Sequence, residues 1–451
     1  MAASRKTQPE LADSLIAHWP DALSGLCVLE VGLSGGLDSA ALLSLLAEAR
    51  ARRPGLSLSA VHVHHGLSPN ADDWAAHCQA LCDALGVPLR IERVQVRAGG
   101  GESLEAAARE ARYAAYRRSA AEAIALAHHQ DDQAETVLLQ LLRGGGVRAL
   151  AAMPALRELT PGKLLWRPLL GFTRAQLEAY ARQRGLRWVE DESNRDSRYR
   201  RNLLRNDILP LLERAVPHYR SHLCRSATLQ ADAAAILDEV ARGDVDACRG
   251  ESGLDLRRWL DLSAPRQRQA LLAWLGEQGW PAPEPGALQA FQQQLWQAGE
   301  QALPILQLRG GLLFRFGGQI QALPDLDPPA SGTALPDLSG GQPQELPEWG
   351  GRLEWEWRER GLPDAVLAAG LTLRPRQGGE KLPYSGGRRE VKDVLREAGL
   401  PPPLRQRWPL LYGADGDLLA VPGLAVSHAA ASAAGWWPLW RPALRRDAAK
   451  S

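Results

Sequence analysis

The chain has no paired cysteines, no long apolar run and almost no net charge, and each absence removes a class of protein. Its five cysteines, Cys27, Cys78, Cys82, Cys224 and Cys248, include no C-x-x-C pair. Neither a disulfide framework nor a cysteine-held cluster is therefore expected, and the thiols read as reduced and half-buried. No run is long or apolar enough to span a bilayer. Met1 to Glu10 are polar and lack the apolar core of a signal peptide, so a cytoplasmic location is expected. A formal net charge of +1 selects no partner by itself. No internal repeat is visible. No Gly-Lys-Ser/Thr follows the main glycine loop, which excludes a Walker A site.

What is present is a chain of 451 residues with 45% hydrophobic and 23% charged residues, the make-up of a globular protein of two or three domains. From Leu26 to Glu190, strand-like runs (Val28–Leu33, Leu58–His64, Leu89–Val94 and Ala123–Ala127) alternate with helical ones. This alternation predicts an α/β domain with a parallel sheet covered on both faces, and ligands outside the carboxyl ends of its strands. Three motifs fall at such ends: Ser34–Ser39, His62–His65 and His128-His129. Their convergence on one sheet edge is the expectation. A mainly helical middle domain is expected over 216–325, a Pro- and Gly-rich linker over 326–351, and a small α+β domain over 352–440, after a first domain of 1–215.

Ser34-Gly35-Gly36-Leu37-Asp38-Ser39 sits between an apolar strand and an apolar helix. The glycine pair lets backbone N–H groups approach an anion, and the helix that follows favours negative charge. An acid inside a phosphate loop makes sense if Asp38 binds Mg²⁺ or organises loop amides. A tight turn without a ligand is the plainer alternative. Downstream, Asp132, Glu135 and Thr136 lie three and four apart on one helix face, with His129 before them. Two carboxylates beside a phosphate loop suit a hard cation such as Mg²⁺. A capped helix with a solvated acidic face fits the same residues equally well. Arg195, Arg198, Arg200, Arg201 and Arg205 form a dense cluster that suits phosphates, or else pairs with Glu190, Asp191, Glu192 and Asp196.

The first motif resembles the loop of the PP-loop ATP pyrophosphatase superfamily, in which Ser34, Gly35, Gly36, Leu37, Asp38 and Ser39 would hold the nucleotide. With His128-His129-x-Asp131-Asp132-Gln133-x-Glu135-Thr136 added, the chain resembles the tRNA(Ile)-lysidine synthases. Val61–Leu67 resembles that family's second-strand motif, with His64 near the nucleotide. Glu105–Tyr113, with Arg109 and Arg112, resembles its helix bearing two functional arginines, and Arg112 is a substrate candidate. Arg143-Gly144-Gly145-Gly146, Trp166–Leu170 and Trp188–Pro210 match further family segments. Ser68 departs from the basic residue common at its position. In the last domain, Arg374-x-Arg376-x-Gly378-Gly379-Glu380, with Arg388 and Arg389 and the interleaved Tyr384 and Trp408, resembles the family's tRNA-recognition module.

The resemblance implies a two-step reaction on the wobble cytidine of a tRNA with anticodon CAU. ATP adenylates the base, pyrophosphate leaves, and lysine displaces AMP to give lysidine. It implies Asp38, Asp132 and Arg201 as catalytic residues, with Mg²⁺ at Asp38 and Asp132. His129, Glu135, Arg143, Arg205, Arg374, Arg376, Arg388 and Arg389 are then candidates for contact with lysine or tRNA. A homodimer is left open. The alternatives are a PP-loop tRNA thiolase, which would need catalytic cysteines or an iron–sulfur cluster, a tRNA-binding protein without activity, and a small-molecule amidotransferase-type enzyme.

Overall fold

The helix Leu37–Ala51 (α2) shows why the sheet lies where it does, because its central stretch, Ala40–Leu46, is buried all round. Leu42, Leu43, Leu45 and Leu46 are each fully buried, worth about 1.5–3 kcal/mol apiece relative to exposure. That stretch has no solvent face and must lie at the centre of a layered domain; the last turns, with Glu48, Arg50 and Ala51, reach solvent. The computed structural model describes residues 11–96, 104–190, 200–299, 302–325, 329 and 331–442. The chain divides into two compact units between Ala235 and Ile236.

The first unit runs α1 (Leu11–Ala17), β1 (Val28–Gly32), α2 (Leu37–Ala51), β2 (Ser57–His64), α3 (Ala71–Leu85), β3 (Leu89–Arg93), α4 (Leu104–Arg117), β4 (Ala123–Ala125), α5 (Gln130–Leu142) and α6 (Val147–Leu150). The hairpin β5 (Leu156–Thr160) and β6 (Lys163–Trp166) follows, then α7 (Arg174–Gln183), α8 (Arg200–Leu203), a π-helical turn over Leu204–Ile208, α9 (Leu209–Ala215) and α10 (Tyr219–Cys248), within which the unit boundary falls. Strand order is β3-β2-β1-β4-β6-β5. β1 pairs in parallel with both β2 and β4, and β3 and β6 extend the parallel sheet on either side. β5 departs from the expected pattern, since it turns back antiparallel on β6. The chain runs outward one way from β1 to β3 and the other way from β4, so a crevice opens outside the carboxyl ends of β1 and β4. The three motifs expected at one edge do meet there.

In the second unit, helices 256–260, 264–277 and 285–297 pack with an antiparallel meander over 305–324. Trp259, Leu271, Trp274, Phe291, Leu313 and Ile320 share that core. The middle region is therefore helical with a small sheet added. A five-stranded sheet, a three-stranded sheet and a hairpin follow, with short helices between them. The stretch expected as a linker carries two short strands, Thr333–Ala334 and Gln344–Leu346. It also buries Leu335, Leu338, Leu346 and Trp349 in the C-terminal core. Spaced leucines inside a Pro- and Gly-rich stretch are the signal that its composition masked. Among the described residues no helix is long and apolar enough to cross a membrane.

Candidate active site

The phosphate-type loop follows β1 directly. Gly35 takes a left-handed φ of 86°, and a Cβ there would stand 3.1 Å from both Cys78 Sγ and Val189 Cγ2. Both backbone and space demand glycine. Gly36 differs: its φ of −75° is ordinary, and a Cβ would meet nothing nearer than 3.6 Å. The fold does not require glycine at Gly36, so its bare backbone is best explained by close approach of a ligand. Ser39 ties the loop together: its Oγ donates to the Gly36 carbonyl at 3.0 Å, accepts from the Ser34 amide at 3.2 Å and lies 3.0 Å from Ser34 Oγ. Val189 N–H donates to the Gly35 carbonyl at 3.0 Å and closes the segment 188–190 over the loop. Asp38, in the first turn of α2, has one carboxylate oxygen, Oδ1, that is buried without a partner.

A cavity of about 570 Å³ opens at this edge, and Ser34, Gly36, Leu37, Asp38 and Ser39 line it. His62 and His65, from the block expected at this edge, line it too, as do Tyr113 and Trp188 from the family-like segments; Tyr116 from α4 and Trp74 from α3 are lining groups that sequence reasoning did not single out. Arg109, Arg112, His128 and Arg205 line it as well. His64 is turned elsewhere. Its Nε2 lies 3.2 Å from Asp72 and 3.3 Å from the Arg93 guanidinium, and it is absent from the lining. The available signal was the chain's turn out of β2 at His65, which breaks the strand alternation.

α5 positions the second group of residues. His129 is its N-cap: Nδ1 accepts from the Asp132 amide at 3.4 Å, and Asp132 Oδ2 accepts from the His129 amide at 3.1 Å. This reciprocal cap stands in for the usual Ser–Glu pair. It leaves His129 Nε2 3.6 Å from Asp38 and 3.4 Å from Asp132. Asp131 is held apart, accepting from Arg220 at 2.5 Å and from the Arg174 amide at 2.9 Å. One turn along α5, Glu135 is 1% exposed and accepts from Arg201 Nε at 2.8 Å and from Arg205 Nε and Nη2 at 2.7 and 2.9 Å. The same two guanidiniums reach Asp132 Oδ1 at 3.0 and 3.2 Å. Two acids and two arginines thus form one closed network, in which Arg205 lines the cavity and Arg201 does not. Arg143 caps the far end of α5, exposed and away from this lining. Asp191, Ser193, Asn194, Arg195, Arg198 and Tyr199 lie outside the described residues.

The electrostatics divide the adjacent histidines. Burial, with Arg167, Arg201 and Arg109 nearby, pushes His128 down to about 4. Burial and Arg112 push His65 down to about 4 as well. His129 is raised, because Asp38, Asp132 and Asp131 outweigh the burial that opposes its charge. Asp132 is lowered: burial works against its charge, and His129 and Arg201 overcome that. Arg167 is 3% exposed, donates to the Pro154 carbonyl at 2.8 Å and leaves its Nε without a partner. Tyr113 stays buried amid Arg109, Arg157 and Arg167, which together lower its phenol despite the desolvation.

Among the described residues no group of three or more His, Cys, Asp or Glu side chains has the geometry to hold a metal alone. Both Asp132 oxygens are already engaged, whereas Asp38 keeps one free oxygen. A cation that takes one carboxylate and completes its shell with phosphate and water fits Asp38, as Mg²⁺ does. Burial pushes the Cys78 and Cys82 thiols up to about 12 and about 11, so neither of these two, beside the loop, is a ready thiolate.

In the second unit, the segment Arg374–Glu380 is organised by its last residue. Glu380 accepts from the amides of Gln377 and Gly378 and lies 3.8 Å from Arg376. Arg376 also donates to the Arg405 carbonyl at 3.1 Å, so it braces the loop. Arg374 stacks over Tyr412 at 4.6 Å and stays exposed, as does Arg388 on the hairpin. Arg389 pairs with Glu397.

Three family patterns match the chain: a PP-loop domain over residues 14–212, a TilS substrate binding domain over 254–321 and a TilS substrate C-terminal domain over 371–440. The tRNA(Ile)-lysidine synthase of Chromobacterium violaceum is 72% identical over 435 residues, covering 96% of this chain and all of that protein. The enzyme of the same name from Pseudomonas aeruginosa is 45% identical over 444 residues, covering 95% of each. Among solved structures, the U34-tRNA thiolase NcsA of Methanococcus maripaludis is 18% identical with a TM-score of 0.41, covering 48% of this chain and 76% of that one. That likeness is too partial to bear on activity. The chain belongs to the tRNA(Ile)-lysidine synthase family.

Proposed function

We propose that the chain ligates lysine onto the wobble cytidine of the CAU anticodon of tRNA(Ile), through an adenylated base. The observation that carries this reading is the single cavity edge where a phosphate-type loop, a half-free carboxylate at Asp38 and the network of Asp132, Glu135, Arg201 and Arg205 come together. ATP would lie with its phosphates on the amides of Ser34–Ser39 and at the start of α2. Mg²⁺, held by Asp38 and the phosphates, would offset charge as the α–β bond breaks. In the first step cytidine O2 attacks the α-phosphorus and pyrophosphate leaves. In the second, the neutral side-chain amine of lysine attacks C2. The C2–N bond forms, the C2–O2 bond breaks, and O2 leaves on AMP with a proton released to solvent.

The chain's own residues suggest distinct tasks. Arg205, at the cavity wall, is suited to offset charge on a phosphate or on the activated base. Arg201 holds the same two carboxylates and positions them. Asp132 has a depressed pKa and makes a poor base, so its role for lysine is to attract the ammonium rather than to take its proton. Neutral His65 and His128 leave the Arg109 and Arg112 charges to face the nucleotide. Exposed Arg374 and Arg388 are suited to tRNA phosphates.

The test is direct. The protein is incubated with ATP, lysine and a CAU-anticodon tRNA, and the tRNA is digested for nucleoside analysis. Lysidine, with AMP and pyrophosphate in equal amounts, is the expected outcome. AMP formation without a lysine-dependent mass change on cytidine would defeat the reading.

A further inference from the structure

We propose that a cleft in the second unit, remote in sequence from the ATP loop, holds one unstacked nucleotide of the substrate tRNA. Its base would lie against Tyr384 and Trp437, and its phosphate on Arg360. The proposal rests on the reading of the chain as a tRNA-modifying enzyme and adds a second nucleotide site to it.

The cleft has a volume of about 370 Å³ and is lined by Arg360, Tyr384, Arg389, Glu397, Val426 and Trp437 among others. Two observations point to a nucleotide. The first is aromatic surface left in water: Tyr384 is 48% exposed on the hairpin 381–390, and Trp437 lines the cleft beside it. The second is the charge balance. Glu397, the acid in the lining, is already paired with Arg389, whose guanidinium also lies 5.5 Å from the Tyr384 ring centre. Arg360 is exposed and has no ion pair among the described residues, so the cleft keeps an uncompensated positive charge at its rim.

Together these make a stacking platform and a cation, which are the elements that recognise a splayed-out base and its phosphate in single-stranded RNA. Arg358 backs the Trp437 ring at 5.1 Å and leaves the platform electron-poor, which favours stacking of an electron-rich base. The cleft is too small for a duplex, so paired stems are excluded from it. The target cytidine belongs at the first unit's cavity, so the nucleotide bound here is a different unpaired one.

The experiment uses the full chain. A photoreactive benzophenone side chain replaces Tyr384, total tRNA is added, and the cross-linked position is mapped. In parallel, Tyr384→Ala, Tyr384→Phe and Arg360→Glu are assayed for tRNA binding over a salt series and for ATP binding. The expected result is a cross-link to an unpaired nucleotide outside the anticodon. Tyr384→Ala should weaken tRNA about ten-fold or more while Tyr384→Phe does not. Arg360→Glu should flatten the salt slope by about 0.7 or more, and ATP affinity should be unchanged throughout. Cross-links confined to paired stems, or folded Tyr384→Ala protein with wild-type tRNA affinity, would overturn the proposal. Failure of the functional reading looks different: the wild type would then form no lysidine, whereas failure of this inference leaves lysidine formation intact and the variants indistinguishable from wild type.

Discussion

Glu135→Ala should destabilise the first unit strongly although Glu135 is no part of the cavity lining. Glu135 is 1% exposed and accepts three hydrogen bonds, from Arg201 Nε and from two nitrogens of Arg205. Its loss leaves two guanidiniums sharing the single Asp132 oxygen Oδ1. Stranding a buried charge in this way costs about 3–5 kcal/mol. Each guanidinium keeps about a third of its side chain in water, with exposures of 35% and 36%, so the low end applies, about 3 kcal/mol. For a unit of this size each kcal/mol moves the midpoint by about 2–4 °C, giving a fall of about 6–12 °C in the unit's thermal transition. Calorimetry on ligand-free protein reads it, and hydrogen exchange along α5 and over 200–215 localises it. Glu135→Gln keeps one acceptor oxygen and should lose about half as much. Adding Arg205→Met to Glu135→Ala removes one stranded charge, so the double variant should be less destabilised than the sum of the two by about 0.5–3 kcal/mol. A midpoint shift under about 2 °C, or strict additivity, would show that the network carries no such energy.

Further outcomes follow from the same structure. Asp38→Asn should keep the fold and tRNA binding but lose Mg²⁺-dependent pyrophosphate release, and full activity in that variant would remove the metal assignment. Replacing all five cysteines by Ala or Ser should preserve lysidine formation, and an iron-cluster absorbance that tracks activity would contradict this. His65 and His128 are held near 4 against the ordinary histidine value of 6.5. As pH falls through that window the unfolded chain takes the protons first, so stability falls, by at most about 1.4 kcal/mol per ring per pH unit. The raised His129 contributes the opposite way, with stability complete below 6.5 and lost as pH rises through its folded value. ATP, which brings negative charge beside His65 and His128, should take up protons on binding between about pH 4 and 6.5, read as buffer-dependent heats in calorimetry, and buffer-independent heats would contradict it. In the C-terminal domain, charge reversal at Arg374 or Arg388 should weaken tRNA binding and lower the salt slope by about 0.7–0.9 per contact. Arg376→Ala should instead lower the second unit's melting midpoint, and the reverse pattern would exchange the roles assigned to these arginines.

Much of the catalytic edge was legible because its signals are local. A glycine pair between an apolar strand and an apolar helix can be read directly from the sequence, and so can carboxylates three apart on one helix face. What was not legible came from tertiary pairing. Nothing in the spacing of Asp132 and Glu135 says that Arg201 and Arg205 fill both. Only their positions about 70 residues downstream, on α8 and the π-helical turn after it, bring them into reach. The second-strand histidines were read as a block, yet the bend out of β2 separates them: His64 goes to Asp72 and Arg93, and His65 to the cavity. Arg374 and Arg376 look alike two residues apart, yet Arg374 ends the strand 371–374 and stays exposed, whereas Arg376 lies beyond that strand and reaches the Arg405 carbonyl.

The consequence for function is electrostatic. A formal charge of +1 suggests balance, but balance on the whole chain hides how the charges are spent around the cavity. Asp132 and Glu135 are consumed by Arg201 and Arg205, and Asp131 is consumed by Arg220 and the Arg174 amide. Arg109 and Arg112 face the cavity, with His65 and His128 kept neutral beside them. Asp38 alone of these acids keeps a buried carboxylate oxygen unpartnered. A polyanion such as a triphosphate is favoured by that arrangement, and Asp38 then sits among phosphates with its free oxygen. A carboxylate beside phosphates repels them unless a cation lies between. That same repulsion is the physical reason to expect Mg²⁺ at Asp38 rather than at the arginine-bound Asp132.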